Sequence, residues 1–317
     1  MGRTEQSIFE QFPYWRAAMA PLSPPEPAEI LVFVGCGTSY NLALSLAALA
    51  NASGRPAIAV PGGEWASSPG SYWPRWQKAH VVALSRSGET TETVAAAKAS
   101  RAAGAYVTAI TVEKASALAA NCDRMLAAGT HPAEGIVMTS SSSLMLLLGI
   151  GLLGYAVPPA LVDTARGVLE DLDARLPALI ADRSHFVYLG GGPLYGVALE
   201  GALKLTEMSQ IFTQAFHPLE YRHGPVSLVD ERTAAIMLCS VARQEAEAKL
   251  VGELQDKGAR VIAFGGPGDA SFEVPCDPPL FGLACLPALQ LLGERAAQAR
   301  NIDTVAPRHL TKVVTLA

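Results

Sequence analysis

The sequence predicts an α/β protein made of two tandem, doubly wound parallel sheets, each sandwiched between helices. Three observations lead there. Short β-branched and aromatic runs alternate with Ala- and Leu-rich segments of helical length, the order that feeds parallel strands through helical crossovers. Strand candidates end in glycine or serine turns that open into those helices, as where residues 30–34 run into Gly35-Cys36-Gly37-Thr38-Ser39. The pattern also occurs twice. His185-Phe186-Val187-Tyr188-Leu189-Gly190-Gly191-Gly192 matches residues 30–37 in kind, and Gly190 and Ser240 each stand 155 residues after Gly35 and Ser85.

Taken in order, residues 1–20 place Ile8, Phe9, Phe12, Trp15 and Met19 on one helical face, an amphipathic helix that packs onto a neighbour. The proline-rich stretch 21–27 ends it. Strand 30–34 feeds helix 40–50, and further strands follow at 56–60, 81–84 and 106–112, with a helix over 93–103. The apolar run 144–157 is shorter than a membrane span and broken by glycines, so it reads as a buried or subunit-facing helix. A helical stretch over 158–180 joins the copies. The second supplies strand 185–189, helix 196–208 and strands 234–239 and 261–264. The predicted organisation is an N-terminal helix and linker, 1–27, a first domain, 28–165, and a second, 166–317.

Composition narrows the class of function. With 317 residues, 50% hydrophobic and 17% charged, the chain can fill two cores and is not a disordered one. A net charge of −5 without a basic block argues against a nucleic-acid surface. Cys36, Cys122, Cys239, Cys276 and Cys285 are widely spaced with no C-x-x-C pair, which indicates neither a zinc site nor a disulfide framework and suits a reducing cytoplasm. The N-terminus lacks the apolar block of a signal peptide, so a cytoplasmic protein without a membrane partner is expected.

The stretch Ser85-Arg86-Ser87-Gly88-Glu89-Thr90 follows an apolar strand and opens a helix. Three hydroxyls and a glycine thus crowd a helix N-terminus, where N–H groups lack intrahelical partners and the dipole favours an anion such as a phosphate monoester. Simple capping by Ser87 and Thr90 is the alternative. The second copy has Ser240-Val241-Ala242-Arg243-Gln244-Glu245 there, without the glycine or the hydroxyl cluster, but its first helix carries Glu200, Lys204 and Glu207. One half is expected to grip phosphate and the other to do chemistry.

Gly35-Cys36-Gly37-Thr38-Ser39-Tyr40, the loop 85–90, Ala198-Leu199-Glu200-Gly201-Ala202-Leu203-Lys204-Leu205-Thr206-Glu207, Arg222-His223-Gly224-Pro225 and Pro307-Arg308-His309-Leu310-Thr311-Lys312 occur in that order. Together they resemble the sugar isomerase (SIS) family, and within it the isomerase domain of glucosamine-6-phosphate synthase and its free-standing relatives. The resemblance implies two flavodoxin-like αβα sandwiches and a sugar-phosphate substrate. It makes Ser85, Ser87, Thr90 and the backbone N–H groups around Gly88 the phosphate grip. Thr38 and Ser39 reach that grip from the neighbouring turn, where Gly37 lets backbone approach closely. Arg86 stands where many relatives carry glutamine and either contacts phosphate or points to solvent. Thr139 and Ser140 resemble the family's loop over the sugar hydroxyls, the alternative being a polar run, Ser140 to Ser143, that caps the helix from Leu144.

Glu207 resembles the family's proton-shuttling base. Glu200, Lys204 and Glu207 are spaced i, i+4 and i+7 on one helical face. Without the flanking motifs they would be a surface ion pair and a surface acid. His223 suits moving the ring-hydroxyl proton, and in the family its loop enters the partner subunit's site, which implies a homodimer. Lys312 resembles the lysine that meets the open-chain carbonyl, as a Schiff base or a hydrogen-bond donor; otherwise it is a solvated tail lysine. His309 stands at an asparagine of the synthase, a departure that touches substrate detail. Neither metal nor organic cofactor is implied, because the open-chain carbonyl is its own electron sink.

The expected activity is a glucosamine-6-phosphate deaminase of the isomerase type, giving fructose 6-phosphate and ammonia, since the isomerising residues are present and the chain begins Met1-Gly2-Arg3 rather than with the synthase's glutamine-hydrolysing domain. Galactosamine 6-phosphate or fructosamine 6-phosphates are alternatives within the family, a choice that lies with residues 216–220. A non-catalytic sugar-phosphate regulator is the alternative of another class. Such a regulator needs the grip but not Glu207, His223 and Lys312, and the first 28 residues are too short for a helix-turn-helix domain.

Overall fold

The structure is a computed structural model and describes residues 1–315. The chain opens with α1 (Arg3–Phe9) and α2 (Phe12–Ala18), where the sequence predicts a single helix. Pro13 accounts for the break. Without an N–H it cannot donate to the carbonyl four residues back, so it is tolerated in the first turn of α2, where Tyr14 N donates to Gln11 O at 3.1 Å. The chain then divides into two compact units, Glu10–Pro158 with the tail from His309, and Pro159–Arg308 with Met1–Phe9.

The first unit holds an all-parallel sheet of β1 (Ile30–Gly35), β2 (Ala57–Pro61), β3 (Ala79–Leu84), β4 (Tyr106–Thr111) and β5 (Arg124–Ala127), in the order β2-β1-β3-β4-β5. Leu31 pairs with Ala57, Val34 with Ala83 and Val82 with Thr108. The helices are α3 (Thr38–Ala52), α4 (Gly62–Ser67), α5 (Thr91–Ala102) and α6 (Ser140–Leu152). β1 and β3 are buried at every position, which is why they read as unbroken apolar runs rather than as alternating ones. Val32, Val34, Val81, Ala83, Val107 and Ala109 form one core with Trp65 and Val94. α6 is buried in this chain at every residue but Gly151, with Gly149 seated against Leu46 of α3. No described helix is long and apolar enough to cross a membrane.

The second unit runs α7 (Ala160–Ile180), β6 (His185–Gly190), α8 (Pro193–Ser209), β7 (Thr213–Phe216), β8 (Thr233–Leu238), α9 (Gln244–Asp256), β9 (Arg260–Phe264), β10 (Ala270–Phe272) and α10 (Phe281–Ala299). Read from β7, its sheet has the order β7-β6-β8-β9-β10, again all parallel, which repeats the first unit strand for strand. This is the flavodoxin-like arrangement expected twice over. α8 lies close to its neighbours because it carries glycine where they approach. A Cβ on Gly201 would stand 2.6 Å from the Tyr188 ring, and one on Gly293 of α10 would stand 3.0 Å from Lys204 O. That packing buries the polar face of α8 as well as its apolar one.

Candidate functional site

In the first unit β3 ends at Leu84 and α5 begins at Thr91, so residues 85–90 form the strand-to-helix turn. Gly88 has φ +67°, and a Cβ there would run into Ser116, so both conformation and space demand glycine. The hydroxyls close around it. Ser85 Oγ donates to Thr90 Oγ1 at 3.3 Å and accepts Gly88 N–H at 3.1 Å, while Ser87 Oγ accepts Glu89 N–H at 3.1 Å. Thr90 occupies the N-cap position of α5 but makes no side-chain capping bond. The turn after β1 behaves alike: Gly37, with φ +54°, precedes α3, and Thr38 and Ser39 are buried in its first turn. Close packing falls on Gly35, where a Cβ would lie 2.7 Å from Ser39. Both turns thus present hydroxyls and N–H groups at positive helix ends.

Arg86 neither points to solvent nor is spent on a carboxylate among its described hydrogen bonds. Its side chain is buried, with Nη1 donating to Gly135 O at 3.3 Å and Nη2 to Lys312 O at 2.9 Å. Its own carbonyl accepts Thr111 Oγ1 at 3.1 Å and Val112 N at 3.3 Å. Lys312 itself is exposed. His309, earlier in the tail, has φ +65°, a left-handed conformation that Asn and His enter more readily than most side chains.

Thr139 and Ser140 stand fully buried at the start of α6, which begins at Ser140 rather than Leu144. Neither hydroxyl caps the helix. That role falls to Glu134, which sequence reasoning missed: its Oε1 accepts Thr139 N at 2.6 Å, Ser141 N at 2.9 Å, Ser141 Oγ at 3.0 Å and Thr139 Oγ1 at 3.2 Å. An acid shortly before a serine run is the signal that would have found it, a carboxylate answering the orphan donors of a helix N-terminus.

In the second unit α8 presents its charges inward. Lys204 is fully buried, its Nζ 3.5 Å from Glu200 Oε1 and 2.5 Å from Glu207 Oε2; the Glu200 side chain is 0% exposed and Glu207 21%. The expectation of a shared face holds, and the surface-pair alternative does not. Glu207 alone of the three remains accessible enough to meet a substrate carbon, with Lys204 fixing its carboxylate. His223 follows the short turn Glu220–Arg222 in an exposed loop. Arg222 fastens this loop to α9 by a two-pronged contact with Glu253, at 2.9 and 3.1 Å. Burial pushes the neighbouring Tyr221 hydroxyl up to about 12. No described hydrogen bond or ion pair joins the His223 side chain to Glu207.

The turn after β8 is built differently from the turn 85–90. Glu247, 1% exposed, reaches back from α9, its Oε2 accepting Ser240 N at 2.6 Å and its Oε1 Arg243 Nε at 3.1 Å. The Arg243 guanidinium lies over Gly191, where a Cβ would meet it at 2.6 Å. The chain's own carboxylate thus satisfies this turn from within.

The sequence profile of the SIS domain matches residues 27–150 and 179–271. The chain belongs to the SIS domain family. Among its curated SIS relatives, the glutamine–fructose-6-phosphate aminotransferase [isomerizing] of Pyrobaculum aerophilum is 31% identical over 316 residues, covering 91% of this chain and 52% of the relative. The chain therefore spans about half the length of the curated relatives it matches. Among solved SIS structures, glucosamine-6-phosphate deaminase from Thermotoga maritima has a TM-score of 0.82 at 30% identity, over 99% of this chain and 100% of that one. Tagatose-6-phosphate ketose/aldose isomerase from Escherichia coli has a TM-score of 0.79 at 24% identity over 94% and 93%, a likeness of fold.

Proposed function

We propose that the protein is a hexosamine-6-phosphate deaminase of the isomerase type, acting on glucosamine 6-phosphate to give fructose 6-phosphate and ammonia. The observation that carries this reading is the buried Glu200–Lys204–Glu207 cluster, a carboxylate held in place by a lysine on an otherwise packed helix. The full-length likeness to a glucosamine-6-phosphate deaminase supports the choice of substrate. The phosphoryl group docks on the turn 85–90, with Ser85, Ser87, Thr90 and the N–H groups about Gly88 as donors, and with Thr38 and Ser39 beside it. Thr139 and Ser140 lie along the sugar hydroxyls. His223 moves the ring-hydroxyl proton, which opens the sugar, and Lys312 meets the carbonyl so released.

Glu207 then removes the C2 proton and returns it to C1. The C–H bond at C2 breaks, its electrons form the C1–C2 double bond while the C1–O π pair moves onto O1, which takes up a proton, and reprotonation at C1 of this enolamine leaves a C2 imine. Water adds to that imine, the C2–N bond breaks, and ammonia leaves. No oxidant or reductant enters. The His223 loop is supplied by the second subunit of a homodimer. The isomerizing aminotransferase relatives are named for fructose 6-phosphate, and a base that carries a proton between C1 and C2 serves either direction by microscopic reversibility.

The test is ammonia release by purified protein from glucosamine, galactosamine and fructosamine 6-phosphates, run beside Glu207→Gln. Glucosamine 6-phosphate should turn over best, and Glu207→Gln should lose about 10²–10⁴-fold in kcat while keeping affinity. Turnover of another sugar phosphate without ammonia overturns the deaminase reading, and full activity in Glu207→Gln overturns the shuttle.

A further inference from the structure

Three segments of the first unit that the proposed function draws on meet at one buried guanidinium. Arg86 belongs to the turn 85–90, Gly135 lies in the segment that leads into Thr139 and Ser140, and Lys312 carries the tail amine. Arg86 itself is fixed from behind by the end of β4, through Thr111 Oγ1 and Val112 N on its carbonyl. Its side chain donates forward to two backbone carbonyls. A planar guanidinium with several donors in a rigid fork suits this task, whereas a lysine ammonium presents one flexible point charge.

Lys312 gains most from the arrangement. The tail after α10 has no regular secondary structure in its described part, so little within it sets its path. The bond from Arg86 falls on the carbonyl of Lys312 itself, which fixes the main chain at the root of the reactive side chain while leaving the amine exposed.

We infer that Arg86 is a positioning residue for Lys312: it clamps the tail to the phosphate turn and to the segment before α6, so that a ligand held by the turn and the tail lysine stay in register. The inference rests on the proposed roles of the turn and of Lys312, yet it concerns the clamp, which can be read without turnover. Because the contact is to main chain, the identity of the side chain at 312 does not matter to it. Ordering the tail and fixing the turn are therefore one event.

The experiment follows hydrogen exchange of the amides of residues 309–315 in the full chain, in wild type, Arg86→Gln, Arg86→Lys and Lys312→Ala, together with kcat and KM on the hexosamine phosphate. Charge-assisted bonds of this kind are strong enough that Arg86→Gln should speed tail exchange by about 10-fold or more. Arg86→Lys should restore part of the protection, and Lys312→Ala should keep all of it. In kinetics Arg86→Gln should lower kcat with KM for the sugar phosphate within about 3-fold, since the docking hydroxyls are untouched. Unchanged tail exchange in Arg86→Gln overturns the clamp. So does a large rise in KM or in the dissociation constant of inorganic phosphate at constant kcat, which would make Arg86 a phosphate ligand. Should Arg86→Gln fail to fold, Arg86→Lys carries the same reading: faster tail exchange than wild type supports the clamp, and wild-type exchange refutes it. If the chain turns over none of the hexosamine phosphates, the exchange data still decide the clamp.

Discussion

Replacing Lys204 by methionine should be among the most destabilising single changes in the second unit. Lys204 stands 3.5 Å from Glu200 Oε1, with both side chains at 1% exposure or less, so the lost attraction is not screened by water. At the effective dielectric of about 20 that suits such sites, that pair alone is worth roughly 4–5 kcal/mol before desolvation is subtracted. The substitution removes the cation but leaves the Glu200 carboxylate buried without it, and breaking a buried pair in this way costs about 3–5 kcal/mol. Glu207→Gln should cost far less, about 1 kcal/mol, because Glu207 is 21% exposed and Lys204 keeps Glu200. Removing both charges in Lys204→Met with Glu200→Leu should recover most of the loss, since a packed apolar pair replaces an ion pair at little cost. For a unit of this size roughly 2–4 °C accompany each kcal/mol, so the single variant should lower the unit's melting temperature by roughly 6–20 °C. Thermal unfolding with hydrogen exchange of α8 amides reads this directly. A single variant within 2 °C of wild type, or a double variant no better than the single, would refute a desolvated cluster on α8.

Two further outcomes follow from other parts of the chain. If the His223 loop acts across a homodimer, inactive His223→Ala and inactive Glu207→Gln subunits mixed by unfolding and refolding should regain about a quarter of wild-type activity, because half of randomly assorted dimers carry one intact site; no recovery would place His223 in its own subunit's site. His80 is fully buried, its Nδ1 donating to Glu26 O at 3.2 Å and its Nε2 accepting Thr108 Oγ1 at 2.8 Å, and burial lowers its pKa below the ordinary 6.5. The unfolded chain therefore takes up the proton first: the stability His80 contributes is present above about pH 6.5 and is lost as pH falls below it, at up to ~1.4 kcal/mol per pH unit. His80→Asn should flatten the slope of unfolding free energy between about pH 6.5 and 5.5, and equal slopes in the two proteins would count against a neutral buried ring.

Much of the fold was legible because both faces of each sheet are covered. β1, β3, β6 and β8 are almost wholly buried and so announce themselves as apolar runs, and the glycine turns that follow them mark the helices. β5, β7 and β10 escaped notice. They are edge strands of three or four residues with mixed burial, and nothing in Thr213–Phe216 or Ala270–Phe272 is periodic enough to separate strand from loop. At the site, the spacing of Glu200, Lys204 and Glu207 put them on one face, but spacing cannot say whether that face is wet. Burial came from Gly201 and Gly293, which bring β6 and α10 close to α8. Arg86 was opaque for a different reason: the carbonyls of Gly135 and Lys312 that its guanidinium reaches are backbone acceptors, which carry no sequence signature, whereas Glu134 had one in the serine run it precedes.

The two copies meet one physical demand in two ways, and the difference fits the proposal that the turn 85–90 alone docks an anion. A strand that feeds a helix leaves N–H groups without partners at the turn, and these must be satisfied by something. In the second copy the answer is internal, since Glu247 brings a carboxylate to Ser240 N and Arg243 neutralises it against Gly191. Such a turn is electrostatically complete, and a phosphate arriving there would meet a buried negative charge instead of open donors. In the first copy the N–H groups of Gly88 and Glu89 rest on the hydroxyls of Ser85 and Ser87, neutral acceptors that can rotate to donate when an anion comes. On the proposed reading, the exchange of hydroxyls for a carboxylate separates a copy that receives the anion from one that does not.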